Sequence, residues 1–472
     1  MAETSLYRPF IHFCAQKGWI NDPNGLVFAD GKYHLFHQYY PNATHWGPMH
    51  WGHAVSEDLL HWEYLPVALV PDDLGVIFSG SAVMDTENVS GFGDGEHVPM
   101  VLCYTNHNLT SKKEEQSIAY STDYVHFTKY AGNPVIRGLP GENCRDPKLF
   151  RNPVRGGYSL ALATGESVSF YASRDLKSWE KTGEFEAGEH GISGICECPD
   201  CFPVETPEGT KWVLIVSMIV DPGTLDDPVT PYNRMSHITQ YYVGEFDGDR
   251  FIDTQKADRP LLVDYGTDNY AAVTFSGLPE TVMMAWADNW DYANQSPAAE
   301  DGFQGKMTLG RRLGLVRKNG LYLLRSEFCG LDEARRKAAS IACRDGASTG
   351  LPIGCAIGLQ AEIPDGGGIR FVNGFGEALH IFVQGGELII DRTGAGRSDF
   401  SEKFASDRTG ILRIPREQGG TVRMEIVLDR CLMELIADDG LLCASVGMYP
   451  RGAYDRMFFD GAARGRMYAI TV

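Results

Sequence analysis

The chain has 472 residues, a formal net charge of −20, and 43% hydrophobic against 22% charged residues. That length is sufficient for two domains, and the composition is typical of an ordinary folded protein. A strongly acidic chain repels phosphate backbones, so we do not expect a nucleic acid partner.

The N-terminal residues show no basic stretch followed by an apolar core and a cleavage site. No apolar run of the sequence is long enough to span a bilayer. We therefore expect no signal peptide, no membrane association and a cytoplasmic location. The 11 cysteines are odd in number and scattered, so we expect reduced thiols rather than a disulfide framework.

Short alternating apolar segments, separated by turns rich in Gly, Pro, Asn and Asp, run through the first 330 residues. This pattern predicts an all-β protein. A motif of Ser, Asp and an aromatic residue recurs from Ser56, Ser121 and Ser173, with a degenerate copy near Asp247. Repeats spaced by about 50 to 65 residues favour a β-propeller with one copy in each blade.

The sequence changes character after about residue 335, where small residues replace the aromatic residues of the strands. Alternating strand patterns return from about residue 355 and predict a second all-β domain of the sandwich type. We therefore predict a catalytic propeller over residues 1–330, a linker over 331–354 that includes a helix, and a β-sandwich over 355–472.

Three acidic residues stand in short, stiff turns next to proline: Asp22 before Pro23, Asp146 before Pro147, and Glu197 two residues before Pro199. A following proline restrains the backbone of the preceding residue to extended conformations. A single Asp-Pro pair usually marks only a turn. Three restrained carboxylates in an aromatic-rich β protein suggest glycoside cleavage, which needs one acid and one nucleophile or base.

Two other groups of residues have the composition of metal ligands. Cys196, Cys198 and Cys201 are spaced too tightly and have no fourth ligand nearby. His45 and His50 are interpreted as histidines that satisfy hydrogen bonds in a loop, as is His53. We therefore predict no metal and no cofactor.

The sequence resembles glycoside hydrolase family 32, the invertase, fructanase and sucrose-6-phosphate hydrolase family. The resemblance covers essentially the whole chain. It rests on the segments WINDPNG, RDPK and ECPD around the three acids, with supporting blocks such as YHLFHQY and FSGS in the same order. It implies a five-bladed β-propeller followed by a C-terminal β-sandwich.

The resemblance also implies residue roles. Asp22 corresponds to the nucleophile, Glu197 to the acid/base, and Asp146 to the acid that stabilises the transition state by holding sugar hydroxyls. The positions that line the fructosyl pocket correspond to Asn21, Gln38, Trp46, Phe78, Ser79, Arg145, Tyr270 and Trp286.

The implied function is a retaining β-fructofuranosidase. It would release terminal fructosyl units from sucrose, sucrose-6-phosphate or short fructo-oligosaccharides. A fructosyltransferase using the same covalent intermediate and an exo-fructanase on levan or inulin are the alternatives. A carbohydrate-binding protein with an inactive site is disfavoured because all three acids are present.

Overall fold

The computed structural model describes residues 5–471, apart from residues 140, 190, 221–234, 338, 342–345, 347, 417–418 and 462. Nearly all regular structure in these ranges is β. The helical segments are short: Ala187–Glu189, Ala293–Gln295, Pro297–Asp301 and Asp438–Gly440 are 3-10 turns, and Asp332–Arg336 (α1), Glu402–Ala405 (α2) and Asp407–Gly410 (α3) are α-helical. Among the described residues, no helix is long and apolar enough to cross a membrane.

Five antiparallel sheets, formed by consecutive stretches of chain, make up the first two thirds of the protein. The first two contain β1 Gly18–Ala29, β2 Lys32–Tyr40, β3 His50–Ser56, β4 Glu63–Leu69, and β5 Val76–Met84, β6 Met100–His107, β7 Glu114–Ser121, β8 Thr128–Lys129. The third and fourth contain β9 Arg145–Arg151, β10 Tyr158–Thr164, β11 Ser167–Ser173, β12 Glu180–Glu186, and β13 Ile195–Val204, β14 Lys211–Ile219, β15 His237–Phe246, β16 Phe251–Ile252. The fifth contains β17 Tyr270–Thr274, β18 Val282–Trp286, β20 Arg311–Lys318 and β21 Leu321–Phe328, with β19 Phe303–Gln304 reaching across to the first sheet.

The first strands of these sheets form a ring. β1 packs on β5, β5 on β9, β9 on β13, β13 on β17, and β17 on β1. Two connections close the ring: β19 pairs in parallel with β1, and Ser276 after β17 forms a parallel bridge with Val27. The five-bladed β-propeller predicted from the sequence is therefore confirmed.

The sequence repeat occupies the turn between the third and fourth strands of a blade. In the first copy the Ser56 hydroxyl accepts the Leu59 amide at 2.8 Å, and Asp58 Oδ1 accepts the His61 amide at 2.8 Å. The residue after the aspartate is left-handed in all three copies, with φ of 69° at Leu59, 59° at Tyr124 and 61° at Leu176. Serine and aspartate side chains stabilise such turns by bonding nearby backbone amides.

Two six-stranded sheets form the C-terminal β-sandwich, as predicted. One contains β22 Ala339–Ile341, β24 Ala356–Ile363, β29 Val422–Asp429, β30 Leu432–Ala437, β31 Leu442–Gly447 and β33 Arg464–Ile470. The other contains β23 Ser348–Gly350, β25 Gly368–Val372, β26 Ala378–Gln384, β27 Glu387–Asp391, β28 Ile411–Pro415 and β32 Arg456–Asp460. β22 and β23 lie in the predicted linker and pair with the sandwich, so the sheets begin before residue 355.

The two domains share an interface that is apolar with charged groups buried in it. Ile11, Leu309 and Phe328 pack against Val427 and Ile436 of the sandwich. Within this contact Arg311 is fully buried and its guanidinium pairs with Asp264 at 2.8 Å and with Glu434 at 2.5 Å. A buried charge is tolerated only when it is paired in this way.

Candidate active site

The innermost strand of every blade carries a break in its ladder. The register shifts lie between Ile20 and Pro23, Ile77 and Gly80, Arg145 and Lys148, Glu197 and Asp200, and Tyr270 and Val273. A β-bulge bends its strand and re-aims a side chain. Each of the three predicted acids lies in or at the edge of such a bulge. The bulges therefore redirect the three side chains away from the regular strand positions and toward the centre of the ring of inner strands.

Three of the bulges contain a left-handed residue that is not glycine: Asp146 at φ 63°, Cys198 at 43° and Ala271 at 53°. Such residues are costly and persist only where their surroundings hold them in place. Their amides, which have left the ladder, donate to the Thr105 hydroxyl, the Asp146 carboxylate and the Ser217 hydroxyl, each at 3.0 Å. Side chains therefore replace the lost ladder bonds.

The Asp22 carboxylate is held on both oxygens. Oδ2 accepts the Ser79 hydroxyl at 2.5 Å and Oδ1 accepts the Asn21 amide at 3.0 Å. Asn21 is itself fixed by the Trp19 indole N–H at 2.8 Å. Burial raises the pKa of Asp22 above its usual range, the two hydrogen bonds oppose this, and the nearby Glu197 charge adds to it.

Cys198 joins two of the acids. Its sulfur lies 3.5 Å from Asp22 Oδ2 and 3.5 Å from Asp146 Oδ2, and its amide donates to that same Asp146 oxygen. Burial raises the pKa of Asp146 and the Arg145 charge lowers it, whereas Glu197 and Asp22 raise it further. Burial and the neighbouring acids therefore favour the protonated form of Asp146, and the Arg145 guanidinium opposes them.

Glu197 is more exposed than Asp146, with 18% of its side chain accessible. Its Oε1 accepts the Arg145 Nε proton at 3.1 Å, and its Oε2 accepts the Tyr270 hydroxyl in a short hydrogen bond. Burial and the Glu197 charge raise the pKa of Tyr270 well above 10, so the phenol stays protonated and donates. The ring of Tyr270 is supported edge-on by His237, with 5.2 Å between the ring centroids.

Four of the predicted pocket residues bond two of the acids directly: Asn21 and Ser79 bond Asp22, and Arg145 and Tyr270 bond Glu197. Within the part of the chain that the structure describes, the other predicted pocket residues form no hydrogen bond with the three acids. Trp46 is 38% exposed, and its ring is 6.4 Å from that of Phe78. Gln38 is buried and donates to Asn24 Oδ1 at 3.0 Å. Trp286 is fully buried against Trp19 and Trp290, so it supports the site from behind, and its role as a pocket wall stays a prediction.

The residues with metal-ligand composition have other contacts. His45 and His50 each bond a carbonyl of their own loop at 3.0 Å, while the His53 ring stacks on Phe36 at 4.0 Å. The described cysteines are free thiols, including Cys196 and Cys201 in the hydrophobic core. The described part of the chain contains no cluster of three or more histidine, cysteine or acidic ligands arranged around a metal position.

Two buried charges follow the acids on the same inner strands. Lys148 Nζ lies 2.8 Å from Asp200 Oδ2, and it also donates to the Thr274 carbonyl at 2.6 Å. Lys148 is the last residue of RDPK and Asp200 is the last residue of ECPD. Each motif therefore supplies one acid of the site, Asp146 or Glu197, and one partner of an ion pair between neighbouring blades. Farther along the strands lies a cavity of about 530 Å³ with Phe150 and Trp212 among its lining residues.

Sequence reasoning missed Glu114, which is buried behind Arg145. Its carboxylate accepts Arg145 Nη1 at 3.1 Å, the Cys144 amide at 2.8 Å and His107 Nδ1 at 3.2 Å. The His107 ring in turn stacks on Phe78 at 4.5 Å. Glu114 lies on β7 in a segment with two successive glutamates, where no sequence signal distinguishes a buried acid from an exposed one.

Comparison with known proteins agrees with this geometry. The sequence-family model described as "Glycosyl hydrolases family 32 N-terminal domain" matches residues 12–325, and the one described as "Glycosyl hydrolases family 32 C terminal" matches residues 376–466. A levanase of Bacillus subtilis (strain 168) is 38% identical over 92% of this chain and 65% of its own length. A levanase of Bacillus sp. (strain L7) is 31% identical over 99% of this chain and 52% of its own length.

The chain thus spans between about half and two thirds of these two relatives. Among solved structures, the exo-inulinase from Aspergillus awamori superimposes with a TM-score of 0.88 at 29% identity, covering 100% of this chain and 99% of that one. Both domains and all three acidic segments are thereby accounted for, and the chain belongs to glycosyl hydrolases family 32.

Proposed function

We propose that this protein is a retaining β-fructofuranosidase that removes terminal fructosyl units. The observation that carries the proposal is the convergence of three acids from three blades. Asp22 and Asp146 both contact the sulfur of Cys198, and Glu197 precedes that cysteine in the chain. Two carboxyl groups with different surroundings are the requirement for glycoside cleavage.

In this proposal Asp22 is the nucleophile. Its oxygens are fixed by Ser79 and Asn21, which stabilise the carboxylate against the effect of burial. It attacks the anomeric carbon of the fructosyl ring while Glu197 protonates the departing oxygen. Water then attacks the covalent intermediate as Glu197 takes back a proton, which gives net retention.

Asp146 has a different role in the proposal. Its backbone is held in the left-handed region and its Oδ2 already accepts the Cys198 amide. The other oxygen remains to bind sugar hydroxyls, whose hydrogen bonds strengthen as positive charge develops on the ring. Arg145 balances the negative charge of the group, because it contacts Glu197 directly.

The substrate class follows from the position of the site. The acids lie where the inner strands of the blades meet, so the pocket is bounded on several sides and suits one terminal ring. This supports exo action on sucrose, sucrose-6-phosphate or short fructo-oligosaccharides. Exo-fructanase action on levan or inulin is the alternative, which the names of the levanase and exo-inulinase relatives favour. Fructosyl transfer would use the same intermediate. The cytoplasmic location stays a prediction.

The test is a comparison of Asp22→Asn and Glu197→Gln with wild type on sucrose. We expect each variant to lose several orders of magnitude in kcat while it folds normally. In kcat/KM, which reports formation of the intermediate, the Glu197 variant should lose far less on p-nitrophenyl β-fructofuranoside, whose leaving group needs little protonation, whereas the Asp22 variant should lose activity on both substrates. Glu115→Gln, at a partly buried glutamate of β7, is the matched control. Near-normal sucrose hydrolysis by either variant would refute the assignment.

A further inference from the structure

A second carboxylate lies behind the arginine of the active site. Arg145 reaches Glu197 through Nε at 3.1 Å and Glu114 through Nη1 at 3.1 Å, so one guanidinium joins the two acids. The Glu114 side chain is 6% exposed and that of Arg145 is 11% exposed. Neither the acidic motifs nor the proposed mechanism uses Glu114.

The contacts of Glu197 raise a chemical difficulty. Both its oxygens accept hydrogen bonds, one from a cation and one from a phenol that stays protonated. Donors and a nearby cation favour the ionised form of a carboxyl group. A general acid must instead hold a proton at the working pH. The negative charges of neighbouring acids have to offset that of Arg145, and Asp22 and Asp146 are two of them.

Glu114 has the position and the charge to do so. Burial raises its pKa, but the hydrogen bond from His107 and the charge of Arg145 outweigh burial and hold that pKa below its usual range. Glu114 is therefore ionised whenever the enzyme works near neutral pH. The Cys144 amide, which donates to Glu114 Oε2 at 2.8 Å, helps to hold the carboxylate against the guanidinium.

Resting on the proposed function, we propose that Glu114 is a positioning residue, which takes up part of the charge of Arg145 so that Glu197 retains the proton it must deliver. The substitution of a neutral glutamine leaves Arg145 paired with Glu197 alone. One negative charge that opposes the guanidinium is then missing near Glu197. The acid form, and with it the first step of hydrolysis, is lost over the upper part of the pH range.

Other groups that face these two carboxylates are unchanged by the substitution. Glu197 faces Arg145 and Asp146 from β9, Asp22 from β1, Tyr270 from β17, His237 from β15 and its chain neighbour Cys198. Glu114 faces His107 from β6 and Cys144 and Arg145 at the start of β9. A change in the pH profile that is confined to the Glu114 variant therefore reports the missing charge.

The experiment measures kcat/KM for sucrose against pH in wild type, Glu114→Gln, Glu114→Asp and Glu115→Gln. The alkaline limb of this profile reports the general acid of the free enzyme. We expect Glu114→Gln to move that limb down by about 1 pH unit, the effect of removing one nearby charge, and to leave the acid limb in place. Glu114→Asp keeps the charge and should keep the wild-type limb. Glu115→Gln removes the same charge from the next residue along and should change nothing.

Coincident alkaline limbs in wild type and Glu114→Gln would overturn the inference. If the glutamine variant does not fold, the aspartate variant decides: a limb displaced by a full unit despite the retained charge would overturn it, and an unmoved limb supports it. A failure of the proposed function would look different. In that case Glu197→Gln would remain active on sucrose and keep the alkaline limb, whatever Glu114 does.

Discussion

A buried histidine at the domain interface makes the stability of this protein sensitive to pH. His12, in the segment that leads into β1, lies between two carboxylates of the sandwich. Its Nδ1 is 2.8 Å from Asp429 Oδ2 and its Nε2 is 3.0 Å from Glu434 Oε1, with all three side chains fully buried. Asp429 also accepts the backbone amides of Phe10 and Ile11, so the histidine cannot move without breaking the surrounding network.

The pKa of His12 gives the size of the effect. Burial lowers it, but hydrogen bonds to Asp429 and Glu434 outweigh burial and raise the pKa from 6.5 to about 9. At about 1.4 kcal/mol for each pKa unit, this difference is worth about 3 kcal/mol of unfolding free energy. Because the folded pKa is the higher one, the stabilisation is complete below pH 6.5 and is lost as the pH rises through about 9.

The assay is urea unfolding between pH 6 and pH 9.5 for wild type and His12→Gln. At pH 6 the variant should be less stable by about 3–5 kcal/mol, because two buried carboxylates lose their cation. The difference between the two proteins should then shrink by about 3 kcal/mol toward pH 9.5, since deprotonation costs only wild type its ion pairs. Subtracting the variant's unfolding free energy from that of wild type at each pH cancels the contribution of the groups that titrate in both proteins. Parallel curves over the whole range would refute the reasoning.

Other predictions concern the reaction and the domains. The first fructose released from sucrose should be the β anomer, as NMR during the first turnovers would record, and an initial α product would exclude Asp22 as a nucleophile. Hydrolysis of inulin should release fructose one unit at a time, so early longer oligosaccharides in chromatography would contradict a closed pocket. Kinetics on sucrose and kestose should be more favourable than on intact levan, and a marked preference for the polymer would favour the fructanase alternative. Truncation after residue 330 should abolish soluble protein, because it leaves Arg311 and His12 without Asp429 and Glu434, and an active isolated propeller would show that the sandwich is dispensable.

The sequence indicated the propeller because its turn motif is local. Ser56 and Asp58 bond amides two or three residues away, so the pattern is visible without any tertiary information. The acidic segments were visible for the same reason. The two strands within the predicted linker could not be foreseen: β22 and β23 are three residues each and pair with β33 and β32 near the C-terminal end of the chain, so no local pattern indicates them.

The network around the acids depends on distant parts of the chain. Glu114 meets Arg145 through a contact between neighbouring sheets. The left-handed backbone of Asp146 is accompanied by a hydrogen bond from its amide to the hydroxyl of Thr105 in the preceding blade. Trp286 has the composition of a sugar platform, yet two other tryptophans cover it. Which face of a strand is buried, and by what, follows from the packing of blades and not from local spacing.

The closure of the ring by β19 bears on how the chain is made. β1 is a twelve-residue strand, and one of its edges stays open until Ser276 bridges Val27 and until Phe303 and Gln304 pair with Gly18 and Trp19. During synthesis that edge remains unpaired while nearly three hundred further residues are made. An unpaired strand edge can form hydrogen bonds with other chains and so lead to aggregation. Asp22 lies on this strand while Tyr270 lies on the last blade, so enzymatic activity can return in refolding only after closure. Intrinsic fluorescence from individual blades should therefore recover before activity does, and that lag is the period in which aggregation competes.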